Sequence, residues 1–133
     1  MGTRSLTFVY DGRTRVMCMY RQFDGYPSGH GAELASFLGG FDAVVNGYAF
    51  NETRKVANGM GCLAAQLVAN FKVGVGGFYL YPTSTKDAGQ EYEYHVYAEK
   101  VVVKETSYSG ANKTIFTGTW AEFTEFCQNP VTA

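Results

Sequence analysis

Residues 23–31, FDGYPSGHG, gather the groups in this sequence best suited to hold an anion. A glycine-rich turn that opens a helix presents free backbone N–H groups, and the helix dipole favours negative charge there. Ser28, Gly29, His30 and Gly31 would supply that cradle just before Ala32. Arg21, at the end of the preceding strand, would reach the same mouth. Phe23 and Tyr26 would stack on a planar ring, and Asp24 would orient His30. Arg4 joins them if the first two strands form a hairpin: a turn at Asp11 and Gly12 sets Arg4 across from about position 19. Guanidinium forks suit bidentate phosphate or carboxylate recognition. The alternative is structural: Asp24, Gly25 and Pro27 make tight turns, Ser28 caps the helix, and Arg4 and Arg21 pair with Asp24 or Glu33. The spacing matches neither a P-loop nor a dinucleotide motif.

His30 has the side chain for general acid or base work. No serine or cysteine stands at a fixed spacing from it, and the only other histidine is His95. No pair of residues has zinc-ligand spacing, so neither a metal nor a cofactor is expected. Catalysis by His30, as in a phosphodiesterase or nuclease, is therefore the weaker reading.

The elements that must position these groups read as one α+β domain over residues 1–133. Strands are predicted at 4–10 and 13–22, with Met17 and Met19 on one face and Val16, Cys18 and Tyr20 on the other. Both faces are apolar, which places the second strand inside the sheet. A short helix covers 32–38 and stops at Gly39 and Gly40. Residues 41–47 fit either a short strand or an extended connection. Apolar spacing of three and four predicts a long helix over 53–72, capped by Asn51. Gly59 and Gly61 within it suggest close approach by a backbone or ligand. Arg54 and Lys55, near its start, read as solvated.

Strands follow at 78–82, 91–99, 101–108 and 114–118, with a turn at 109–113. In the 91–99 run, Tyr92, Tyr94, Val96 and Ala98 form the core face, and Glu91, Glu93, His95 and Tyr97 a solvated or interface face. Thr119 and Glu122 form a capping box for a last helix, ended by Asn129 and Pro130. Short turns between neighbouring strands predict a mainly antiparallel sheet of five to six strands, with two to three helices packed on one face.

Composition narrows the function. The formal net charge is −1 and charged residues make up 17% of the chain, so bulk charge argues against a nucleic-acid groove or an acidic mimic. Three cysteines without a C-x-x-C pattern point to a reducing compartment. With no signal-peptide core or membrane-length apolar run, the expected location is the cytoplasm. Ten tyrosines and ten phenylalanines give aromatic surface that copies of the chain, or a protein partner, would cover.

GTRSLT at 2–7, MYRQFDGYPSGHG at 19–31, NGMGCLAAQLVANFK at 58–72 and GGFYLYP at 76–82 together resemble a family of small proteins from bacteriophage and bacterial genomes. The resemblance implies a compact protein of phage origin and carries over no catalytic residue. A phage origin would suit host takeover or counter-defence, such as sequestering a nucleotide immune signal or inhibiting a host protein.

Overall fold

The first hairpin sets the register for everything else. In the computed structural model, which describes residues 2–106 and 112–128, β1 (Ser5–Asp11) and β2 (Thr14–Arg21) pair antiparallel around Gly12, whose φ of 62° suits glycine. Ser5 lies opposite Arg21, and the register slips by one between Val9 and Tyr10, opposite Val16. This bulge differs from the expected simple hairpin. Together with a turn at residues 12 and 13 rather than 11 and 12, it moves Arg4 from a position across from 19 to one beyond the Ser5–Arg21 pair. Side chains alternate along a strand, so Arg4 and Arg21 emerge on opposite faces of the sheet.

The sheet has six strands in the order β5-β2-β1-β6-β7-β8. The later members are β5 (Phe78–Tyr81), β6 (Tyr92–Val96), β7 (Val101–Thr106) and β8 (Asn112–Gly118). All neighbours are antiparallel except β1 and β6, which run parallel. The fold is α+β, and β2 is an interior strand. A second, two-stranded parallel sheet joins β3 (Ala43–Val45) to β4 (Val56–Asn58).

Three helices cover one face: α1 (Ala32–Gly39), α2 (Gly59–Phe71) and α3 (Trp120–Gln128). Leu34 and Leu38 of α1, Leu63 and Leu67 of α2, and Phe123 of α3 pack on Val9, Met19, Tyr94, Val96, Val101 and Val103 of the sheet. Each fully buried aliphatic or aromatic side chain in that layer contributes roughly 1.5–3 kcal/mol. Thr119 and Glu122 exchange their reciprocal capping bonds at the start of α3. The turn expected at 109–113 falls largely outside the described residues, and so do Asn129 and Pro130.

Two elements differ from expectation. The helix predicted over 53–72 begins only at Gly59, because Val56–Asn58 forms a strand instead. Gly59 makes the sharp strand-to-helix turn at φ 83°, and neither it nor Gly61 has a close neighbour. Asn51 caps nothing there. Asn58 precedes α2, and its side-chain oxygen accepts from the Gly47 amide instead. The second difference is on the helix-free face. Glu93 and His95 are 5% and 4% exposed rather than solvated. They lie beside a small core of Leu6, Phe8, Tyr10, Cys18 and Tyr20, with Ala88 packed against it from the segment after β5. Among the described residues no helix is long and apolar enough to cross a membrane.

Candidate functional site

The 23–31 loop is a packed turn in which four of the amides are already bonded. Gly25 N–H donates to Thr3 O, Gly29 N–H to Tyr26 O, His30 N–H to Asp24 O and Gly31 N–H to Tyr26 O. Pro27–Gly31 forms a single π-helical turn leading into α1. Gly29 is required there, because a Cβ would stand 2.5 Å from Asp24 O. Asp24 takes a left-handed φ of 60° to bring that carbonyl round, and its side chain receives the Tyr26 hydroxyl. Ser28 is exposed and caps neither helical segment. Phe23 and Tyr26 lie on the surface, 52% and 39% exposed. The free-amide cradle expected from the sequence does not form, because the Gly29, His30 and Gly31 amides are taken by carbonyls of the turn itself.

His30 is fully buried between β1, β6 and α2, in ring contact with Phe71 and Tyr94. Its Nδ1 lies 3.2 Å from Arg21 Nη1 and its Nε2 lies 2.7 Å from Thr7 Oγ1. A guanidinium only donates, so Nδ1 accepts and the proton sits on Nε2. Burial, with the nearby Arg21 charge, pushes the His30 pKa down to about 3. A neutral imidazole sealed from solvent has no acid or base role, and Asp24 does not touch its ring. Its effect is to hold Arg21 in place.

Arg21, of the expected loop site, lines a cleft. The cleft has a volume of about 480 Å³ and is walled by Arg21, Glu33, Ser36, Phe37, Lys55, Asn70, Phe71, Val73 and Phe78. Small-molecule sites typically occupy roughly 300–1,000 Å³. Arg21 lies over the Phe78 ring at 5.0 Å and pairs with Glu33 at 3.0 Å. Lys55, read from the sequence as solvated, places its ammonium over Phe41 at 5.0 Å and Phe37 at 5.9 Å. Among the described residues that ammonium has no carboxylate partner. Two cations therefore share one opening with three phenylalanine rings and the polar ends of Ser36 and Asn70. The converging side chains come from β2, α1, α2, β5 and the approach to β4. Strand and helix patterns say nothing about such distant meetings.

Arg4 belongs elsewhere. It pairs with Glu91 at 3.5 Å on the helix-free face, and its Nε is buried without a partner. On that face a second polar cluster runs through the sheet. The Tyr10 hydroxyl is 2.7 Å from His95 Nδ1, and His95 Nε2 is 3.0 Å from Glu93 Oε1. Arg15 Nε donates to the Tyr10 hydroxyl at 3.0 Å, and Gln90 donates to Glu93 at 2.8 Å. Although burial opposes ionisation of Glu93, the hydrogen bonds from His95 and Gln90 hold its carboxyl below the usual range. Burial raises the Tyr10 hydroxyl above its ordinary value, against the effect of Arg15. Each of these groups has a hydrogen-bond partner and the cluster is buried, so it reads as a structural chain.

No protein-family model, no curated protein and no solved structure matches the chain.

Proposed function

We propose that this protein binds a small anionic ligand bearing an aromatic ring, a nucleotide or cyclic nucleotide, and holds it without turnover. The reading rests on the cleft where Arg21 and Lys55 face Phe37, Phe71 and Phe78. Guanidinium and ammonium groups favour phosphate oxygens, while the rings offer an apolar wall to a base. The site thus moves from the 23–31 loop to the cleft behind it, and Arg21 is common to both. If the resemblance to phage proteins holds, sequestering a host's nucleotide signal is the biological use.

Isothermal titration against a panel of nucleotides and cyclic nucleotides tests the reading. Wild type should give saturable heat with at least one of them. Lys55→Ala and Arg21→Gln should each raise Kd about tenfold or more, the scale of a charge-assisted hydrogen bond. No heat from any nucleotide with folded wild-type protein refutes it.

A second reading rests on β5. Tyr79, Leu80 and Tyr81 are 44%, 62% and 37% exposed on this edge strand, and Val73 and Val75 before it are more open still. Such a patch suits contact with a protein partner. Lys72 donates to the carbonyls of Gly76 and Phe78, which blunts the edge against strand addition. Contact would therefore run through side chains. Tyr94, on the core face as the strand alternation predicts, is fully buried and takes no part. Co-purification lost on Leu80→Ser and Tyr79→Ser but kept in Lys55→Ala would favour this reading.

A further inference from the structure

The charges lining the cleft narrow the ligand further. We infer that the cleft selects a singly charged phosphodiester, as in a cyclic nucleotide, over a phosphomonoester, and that Glu33 makes the selection; this rests on the cleft being the ligand site.

Three charged side chains line the cleft: Arg21, Lys55 and Glu33. Their sum is one positive charge. A phosphodiester carries one negative charge and matches it. A phosphomonoester carries close to two near pH 7, since its second pKa is about 6.

Glu33 is well placed to sense the difference. Its Oε2 lies 3.0 Å from Arg21 Nη2, while Arg21 Nη1 is committed to His30. One arm of the guanidinium thus faces a fixed neutral acceptor, and the other faces a carboxylate a ligand must share or displace. The Arg21 side chain is 11% exposed and that of Glu33 is 54% exposed. The arginine is anchored and the carboxylate lies at the open rim, where an incoming phosphate meets it. Glu33 also stands in the first turn of α1, where the helix dipole favours a negative group. Two attractions keep it at the rim. A second negative charge on the ligand, roughly 5 Å from that carboxylate, weakens binding about fourfold in bulk water and a few hundredfold at a surface-like dielectric, so on the order of tenfold at this open, solvated rim. The phenylalanine wall adds a requirement for a ring beside the phosphate, which a bare phosphodiester headgroup lacks.

The test compares 3′,5′-cyclic AMP, GMP, CMP and UMP with the matching 5′-monophosphates by titration calorimetry at pH 7.5 and fixed ionic strength. For whichever base binds, wild type should prefer the cyclic form by roughly tenfold. Glu33→Gln, with Glu33→Ser as a second variant, should erase or reverse that preference by tightening the monophosphate. Both variants should fold with only a modestly lowered Tm, because Glu33 is exposed and its ion pair and helix-end position contribute little there. Equal or tighter monophosphate binding in wild type, or an unchanged ratio in both variants, overturns the selection and leaves the cleft as a nucleotide site. No binding of either class to wild type or variants brings down the cleft reading as well. Phosphatidylglycerol vesicles present a phosphodiester without a ring; if they pellet the protein while cyclic nucleotides fail to bind, the nucleotide assignment is overturned.

Discussion

Lowering the pH from 7.5 to 5.0 should cost the fold about 2 kcal/mol through His30 alone. The imidazole is fully buried, and its pKa is pushed down to about 3 from an ordinary 6.5. Below pH 6.5 the unfolded chain takes up a proton that the native state refuses. The contribution is therefore complete above pH 6.5 and is lost as the pH falls towards 3. Each unit within that window costs about 1.4 kcal/mol, and 1.5 units lie between 6.5 and 5.0. The groups around the ring offer no compensation: Arg21 is cationic, and Thr7, Phe71 and Tyr94 are neutral. Urea unfolding of wild type and His30→Gln at several pH values isolates the effect, since other titrations cancel in the difference. Wild type should lose about 2 kcal/mol more than the variant between pH 7.5 and 5.0. NMR of the wild-type ring is an independent check and should show no titration of His30 above pH 4.5. Parallel losses in the two proteins, or a ring that titrates near 6.5, would refute the burial argument.

Three further outcomes follow from local geometry. Tyr94→Phe removes the 2.7 Å bond from its buried hydroxyl to Gly25 O and should cost about 1–3 kcal/mol by chemical denaturation. Gly29→Ala puts a Cβ 2.5 Å from Asp24 O and 2.9 Å from the Tyr26 ring, so about 1–3 kcal/mol of overpacking cost should appear as a lower Tm. Thr119→Ala loses the cap on Glu122 N–H and should cost about 1 kcal/mol, with faster amide exchange confined to the first turn of α3.

Much of the fold was legible because its signals are local. The turn around Gly12, the alternation through Tyr94 and Val96 and the capping box at Thr119 each depend on neighbours in sequence. The failures share one cause, which is pairing at a distance. Val56–Asn58 reads as helix until its parallel partner, Ala43–Val45, is known. Glu93 and His95 read as solvated until Gln90, Ala88 and Tyr10 are seen beside them. The site shows the same limit. A bulge opposite Val16 sends Arg4 to the wrong face, and the loop amides bond to carbonyls of Thr3, Asp24 and Tyr26. Arg21 was identified and its Glu33 partner was among the alternatives, but Lys55 joins them only through the folded chain.

The most direct test of the anion-binding account is a two-dimensional ¹H–¹⁵N NMR titration with 3′,5′-cyclic nucleotides. The account predicts saturable shifts around Arg21, Glu33, Lys55 and the Asn70 side-chain amide, with Phe23, Tyr26 and Ser28 unmoved. Shifts confined to the 23–28 turn, or no shifts with any nucleotide, would contradict it.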